Sequence, residues 1–107
     1  MLFKNFEMIT TENVIEKLKT VFDPEIPVNI YDLGLIYDVN VIGGDVYIIM
    51  TLTTATCPAA AFMPEEVKNV VYEIPGVSNV HVEVVYEPKW TKQRMSPEAK
   101  LQLGFSD

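Results

Sequence analysis

The chain is 107 residues long, 49% hydrophobic, and carries a net charge of −7 from 15 acidic and 8 basic residues. This length suits one globular domain with a single core, and no apolar run reaches the roughly 20 residues that span a bilayer. The basic residues are scattered apart from Lys89, Lys92 and Arg94, which disfavours nucleic acid and anionic membranes as partners. A single cysteine excludes an internal disulfide, and no signal-peptide pattern is present, so the sequence predicts a cytoplasmic protein.

One domain is predicted over residues 1–107, with residues 1–9 as a flexible lead-in because they show no clear period. The first helix is predicted over residues 12–22, where apolar residues recur at helical spacing. Thr10 or Thr11 supplies the cap. The helix is expected to end before Pro24, because the residue preceding a proline avoids the α region.

Residues 23–34 are predicted to be a long loop that ends at Gly34. The alternation of apolar and polar residues predicts a strand over residues 35–42 and a second strand over residues 45–53. Gly43–Gly44 is typical of a two-residue hairpin turn between them. The second strand is apolar on both faces, which indicates the centre of the sheet. The core side of the first strand is expected to hold Leu35, Tyr37, Val39 and Val41.

The second long helix is predicted to begin at Pro58, to kink at Pro64 and to end at Pro75–Gly76. A start at Pro64 is the alternative, since Glu65 and Glu66 would then lie in the first turn.

A third strand follows over residues 80–86, with Tyr86 on its core side. Residues 87–107 form a tail with a short helix that Ser96 caps and Gly104 ends. The predicted order is α-β-β-α-β-α, an α+β fold with a three-stranded mixed sheet and helices on one face. The strand order is open.

Cys57, the lone cysteine, lies at the junction between the second strand and the helix predicted to follow it. A thiol at a helix N-terminus has a lowered pKa, which favours the reactive thiolate. A nucleophile, a metal ligand and a redox thiol are all open functional interpretations, and a small buried side chain is the structural one.

Ligand counting limits the chemistry at Cys57. A structural zinc site needs four protein ligands, and iron–sulfur clusters usually take four thiolates, whereas this chain has one cysteine and one histidine. A metal at Cys57 would therefore be shared with another chain or a small thiol, which predicts a homodimer or a partner complex. A cysteine hydrolase is disfavoured, because its only candidate base is His81, on the strand face away from the core.

Other side chains are expected around Cys57. An antiparallel hairpin brings the start of its first strand to the end of its second, so the loop with Asp23 and Asp32 belongs at the end of the sheet that carries Cys57. These two acids otherwise serve the turn itself. The neighbours expected on the cysteine segment are Thr53, Thr54 and Thr56.

Trp90 and Met95 lie in the C-terminal tail. Large apolar residues in a tail usually anchor it to the core. A partner-binding surface is the alternative for this pair, since tryptophan and methionine are enriched at interfaces.

Four stretches carry a resemblance to a known family: DPEIPVNIYDLGLIYDV, MTLTTATCPAAA, EIPGVSNVHVEVVYEPKW and RMSPEAKLQLGF. In this order they resemble the small metal–sulfur cluster biosynthetic proteins that include SufT and PaaD. The likeness is closer to SufT, because the extra C-terminal cysteines of PaaD-type members are absent.

The resemblance implies the fold of iron–sulfur cluster assembly domains and an accessory, non-enzymatic role in assembling clusters or delivering them to apo-proteins. It carries the family's cysteine over to Cys57 and its two loop acids to Asp23 and Asp32. Scaffold or carrier proteins and client apo-proteins are then the expected partners. No cofactor is expected to bind stably, although a transient cluster is compatible with one thiolate. The alternative is a protein-binding module with a structural cysteine.

Overall fold

The structure is a computed structural model that describes residues 9–23, 26–53 and 62–104. Within these residues, no helix is long and apolar enough to cross a membrane. The elements in chain order are helices α1 (Thr11–Leu18) and α2 (Ile30–Leu33), strands β1 (Ile36–Ile42) and β2 (Asp45–Met50), helix α3 (Met63–Tyr72), strand β3 (Asn79–Val84), a 3-10 turn (Lys92–Arg94) and helix α4 (Pro97–Leu103).

The three strands form one mixed sheet in the order β1-β2-β3. Strands β1 and β2 are antiparallel and are joined at Gly43–Gly44, where Gly43 has a φ of +62°. Strands β2 and β3 are parallel, which a connection through a helix permits and a tight turn does not. The predicted α+β class, the mixed sheet and the central position of the second strand are confirmed.

One face of the sheet is buried under helices α1 and α3. Val46, Ile48 and Met50 of β2 point into this core and are almost inaccessible to solvent. Lys17 of α1 also forms an ion pair with Glu73, just after α3, with 2.9 Å between Nζ and Oε1. The two helices contribute the buried side chains Val14, Leu18, Met63, Val67 and Val71.

The start of α1 follows its sequence pattern, but its end does not. Thr10 caps the helix in a capping box with Asn13, which satisfies backbone N–H groups that have no partner within the helix. The helix ends at Leu18, not near residue 22, because the chain turns back on itself. Phe22 forms a β-bridge with Asn29, and this pairing competes with further helical turns.

The predicted loop over residues 23–34 contains the short helix α2. The side chain of Asn29 caps its start, and Gly34 ends it in the left-handed conformation with φ +88°. Four residues are too few to show helical periodicity, so the sequence pattern did not reveal this helix.

A bulge displaces Tyr37 from the predicted core side of β1. Ile36 pairs with Met50 and Asp38 pairs with Ile49, so Tyr37 is the extra residue between them. Its hydroxyl donates to the Pro88 carbonyl at 2.7 Å. The expectation that Tyr37 shares the core face with Val39 is therefore wrong.

The expected core position of Tyr86 is also wrong, because β3 ends at Val84. The last backbone contact of this strand with β2 runs from the Val85 N–H to the Met50 carbonyl at 2.8 Å. Beyond it, Tyr86 is 50% exposed.

The described part of α3 begins at Met63, with Pro64 in its first turn, where a missing N–H breaks no helical hydrogen bond. The predicted start at Pro58 lies outside the described residues. The helix ends at Tyr72, before the predicted Pro75–Gly76 boundary. Helix α4 is confirmed, since Ser96 caps it and Gly104 ends it with φ +86°.

Of the predicted lead-in, residues 1–8 lie outside the described part of the chain. Ile9 belongs to the hydrophobic core, and its side chain lies close to Gly76. This last residue of the predicted lead-in is therefore fixed by packing.

Gly34→Ala is expected to destabilise the protein more than Gly104→Ala. Both glycines end a helix with nearly the same positive φ, which costs an alanine about 1–2 kcal/mol. A Cβ at Gly34 would also collide with the Arg94 backbone, whereas one at Gly104 meets nothing within 4 Å. Urea unfolding of both variants measures the difference. Equal losses of stability would contradict the close approach of Arg94 to Gly34.

Candidate functional site

The end of β2 leads the chain toward the cysteine segment. Thr51 is 1% exposed, and its N–H donates to the Leu35 carbonyl at 2.8 Å. The pairing of Ile36 with Met50 lies immediately beside this contact. The start of β1 and the end of β2 therefore meet at one end of the sheet, as the hairpin predicts. Three predicted site residues lie outside the described part of the chain: Thr54, Thr56 and Cys57.

A groove lies beside residues 51–53, the last described residues before the cysteine segment. We call it the Trp90 groove; its volume is about 490 Å³. It brings together the predicted site residue Thr53 and the tail residue Trp90, which are far apart in the sequence. The groove is lined by Thr51, Leu52, Thr53, Tyr86, Glu87, Lys89 and Trp90.

Trp90 connects this groove to the loop that precedes β1. Its indole Nε1 donates to the Leu33 carbonyl at 2.8 Å, and the side chain packs half-buried against the core. Because Leu33 ends the short helix α2, the hydrogen bond holds α2 beside the end of β2. The loop and the end of β2 thus form one continuous surface.

The two predicted acids shape the loop in this structure. The Asp32 carboxylate accepts a hydrogen bond from Asn29 Nδ2 at 2.9 Å, and Asn29 Oδ1 in turn accepts one from the Asp32 N–H at 2.8 Å. Asp23 is 7% exposed, and its Oδ1 accepts from the Ile26 N–H at 3.0 Å. Neither carboxylate lines the Trp90 groove. The hydrogen bonds given above are typical of acidic residues that form turns.

Met95 is placed in the core. It is 4% exposed and packs with the buried residues. This burial corresponds to tail anchoring and leaves Met95 inaccessible to a partner. Trp90 also anchors the tail, but it contributes to the surface of its groove as well.

His81 lies away from this end of the sheet. It is exposed and stacks on Tyr47, with 4.7 Å between ring centroids and 10° between ring planes. Tyr47 precedes the end of β2 by three residues, about 10 Å along a strand. Among the described residues, no group of three or more His, Cys, Asp and Glu side chains is arranged to hold a metal ion.

The sequence patterns do not single out two side chains that shape the Trp90 groove. The sequence pattern predicts Tyr86 in the core and shows Lys89 only as part of a basic cluster in the tail. That clustering of Lys89 with Lys92 and Arg94 is the available sequence signal. It does not reveal that the tail folds back against the end of β2.

The structure is that of a small α+β domain with a three-stranded mixed sheet and a groove at the end of β2. Residues 11–84 match the model of the family described as iron–sulfur cluster assembly protein, and the chain belongs to this family. The family resemblance carried by the four sequence stretches is therefore confirmed.

Two of the similar relatives are named as maturation factors. The chain is 52% identical over 97 residues to an Fe-S protein maturation auxiliary factor of Porphyromonas gingivalis, covering 90% of this chain and 92% of the relative. It is 44% identical over 87 residues to the maturation auxiliary factor SufT of Staphylococcus aureus, covering 80% of this chain and 99% of the relative. These relatives are named as auxiliary factors, not as enzymes.

A solved structure matches most of the chain. The DUF59 domain from Bacillus anthracis has a TM-score of 0.82 at 39% identity, covering 89% of this chain and 92% of that chain. The fold described above is therefore that of a known structural family.

Trp90→Phe is expected to lower the free energy of unfolding by about 1–2 kcal/mol, because the Leu33 carbonyl loses its indole donor. Tyr86→Phe is the matched control: this ring lines the same groove, is half exposed, and should cost less than about 0.5 kcal/mol. Urea unfolding followed by far-ultraviolet circular dichroism measures both variants. An equal effect of the two substitutions would contradict the role of the indole N–H.

Proposed function

We propose that this protein is a non-enzymatic accessory factor in assembling iron–sulfur clusters or delivering them to apo-proteins, and that Cys57 is its functional thiol. Membership of the iron–sulfur cluster assembly family is the observation that carries the proposal. The names of the auxiliary-factor relatives support it. The position of Cys57, four residues beyond Thr53 at the Trp90 groove, supports it further.

The number of thiolates favours transfer over storage. One chain supplies one thiolate, whereas a cluster usually takes four. Cys57 would therefore bind the cluster, as cargo, only together with thiols from a second copy, from a partner protein or from a small molecule. Ligand exchange between such thiols would pass the cluster on, and no cluster would remain stably bound to the isolated chain.

The proposed partners follow from this role. Cluster scaffold or carrier proteins would supply the cargo, client apo-proteins would receive it, and a homodimer would double the thiolates. The cytoplasm is the proposed compartment. The residues proposed to surround the thiol remain Asp23, Asp32, Thr53, Thr54 and Thr56.

Replacing Cys57 in the native cell should impair cluster-dependent enzymes. Cys57→Ala preserves a small apolar side chain, and Cys57→Ser preserves a small polar one. Both are expected to reduce these enzyme activities to the level of a strain that lacks the protein, because neither supplies a thiolate. Enzyme assays in extracts measure the effect, with protein amount checked by immunoblot. Full activity in both variants would support the binding module with a structural cysteine instead.

Anaerobic cluster reconstitution should depend on additional thiols. Native mass spectrometry of the wild-type protein is expected to show cluster only in a dimer or in a species that contains an added small thiol. The Cys57→Ser variant is the control and should acquire none. A stable cluster on a strict monomer without added thiols would contradict the shared-ligand proposal.

A further inference from the structure

Positive charge is concentrated in one segment of an acidic protein. Residues 88–96, which we call the strap, contain three of the eight basic residues and none of the fifteen acidic ones. The remainder of the chain holds five basic and fifteen acidic residues. The three basic side chains of the strap are exposed: Lys89, Lys92 and Arg94.

Hydrogen bonds hold the strap against the start of β1 and the turn before it. Pro88 accepts from the Tyr37 hydroxyl at 2.7 Å, and the Ser96 N–H donates to the Asp32 carbonyl at 2.7 Å. Between these contacts, Trp90 donates to the Leu33 carbonyl. The basic residues therefore project from a backbone that is ordered by folding, which reduces the entropy lost when a partner binds.

Two grooves adjoin the strap, and aromatic residues form part of the lining of each. Among the described residues that line it, the Trp90 groove contains Lys89 and one acidic residue, Glu87. A second groove, which we call the Arg94 groove, has a volume of about 570 Å³, and none of its described lining residues is acidic. It is lined by Tyr31, Gly34, Ile36, Tyr37, Pro88, Arg94 and Ser96.

Cations lie over the aromatic rings of the Arg94 groove. The Arg94 guanidinium carbon is 4.6 Å from the Tyr37 ring centroid, and Lys19 Nζ is 5.5 Å from that of Tyr31. Such contacts hold a positive group beside an apolar surface. The groove thus offers a site for a carboxylate next to a site for an apolar side chain.

We propose that the strap and its two grooves form a docking surface for an acidic, apolar-containing segment of a partner protein. Arginine binds carboxylates through paired N–H donors, and the aromatic walls accommodate the apolar side chains between them. The surrounding acidic surface repels such a segment elsewhere, which directs it to the strap. The surface is distinct from the thiol, but it adjoins Thr53 and would place a bound protein beside the cysteine segment.

The charge distribution favours a polypeptide over a polyanion. Three basic residues are fewer than the 6–10 phosphate contacts that commonly sustain binding to DNA. A duplex or an anionic bilayer extends well beyond the screening length of about 10 Å at 0.1 M salt, so it would also face the acidic remainder of the molecule. A short acidic segment would contact the strap alone.

Fluorescence anisotropy with a labelled synthetic peptide tests the proposal. The peptide alternates glutamate with phenylalanine and glycine, and a matched peptide has glutamine at every glutamate position. The full-length protein is expected to bind the glutamate peptide more tightly, with an affinity that falls as salt is added. Equal binding of the two peptides would overturn the role of charge.

Substitutions locate the binding surface. Lys89→Glu and Arg94→Glu are each expected to weaken binding about fivefold or more, and Glu87→Gln to strengthen it about twofold. Lys68→Glu makes the same charge change on α3, outside both grooves, and should alter binding less than about twofold. Equal losses with Lys68→Glu, or none with the two strap variants, would overturn the proposal. Circular dichroism confirms folding, and Arg94→Lys is expected to bind more weakly than the wild type but more tightly than Arg94→Glu, because lysine keeps the charge without the paired donors.

Two further measurements separate the alternatives. Cys57→Ser should bind the glutamate peptide as the wild type does, so the docking surface and the thiol are tested independently. Duplex DNA and vesicles containing phosphatidylglycerol are assayed in the same buffer. Tighter binding of either than of the peptide would overturn the assignment to a protein partner.

Discussion

The position of β2 at the centre of the sheet is the constraint on which the rest of the structure depends. This strand pairs with β1 on one edge and with β3 on the other, and its core-facing side chains are almost completely buried. The chain leaves β2 through Thr51, whose N–H is bonded to the Leu35 carbonyl. Backbone hydrogen bonds on both sides, from Thr51 to Leu35 and from Val85 to Met50, thus fix the end of β2.

The C-terminal tail completes the surface that β2 begins. A three-stranded sheet leaves its strand ends open to solvent, and here the strap folds back over one of them. Trp90 and Tyr37 contribute one hydrogen bond each to this contact, and Met95 buries its side chain in the core. The family model matches residues 11–84, so the strap lies beyond the matched region. In this chain the strap lines two grooves and carries three basic residues.

The proposed role and the proposed docking surface share a physical requirement. A single thiolate cannot complete the coordination of a cluster, so a second molecule must approach the cysteine segment closely. A positive strap beside the end of β2 would steer an acidic partner toward that position and away from the otherwise acidic surface. Transient binding suits this arrangement, because exposed charge pairs accelerate association while contributing little to the lifetime of a complex.

Local structural features could be predicted from the sequence. The sequence predicts Thr10 or Thr11 and Ser96 as helix caps, Gly104 as a helix end and Gly43–Gly44 as a hairpin turn, because these signals depend on residues a few positions apart. Apolar periodicity also identified the three strands and the central place of β2. The hairpin alone placed the Asp32 loop at the same end of the sheet as the end of β2, since antiparallel strands leave no other arrangement.

Features that depend on residues distant in the sequence were determined only by the tertiary structure. At the bulge, β1 keeps its pairing with β2 on either side of Tyr37, and the Tyr37 side chain reaches the Pro88 carbonyl. Tyr86 is exposed because the pairing of β3 with β2 stops at Val85, although the alternation of apolar residues in the sequence continues to Tyr86. The grooves arise only when the strap meets the turn before β1, 57 residues away in sequence at Trp90 and Leu33. Periodicity records which face of an element is apolar, but not which distant backbone will cover it, and only the folded chain supplies that information.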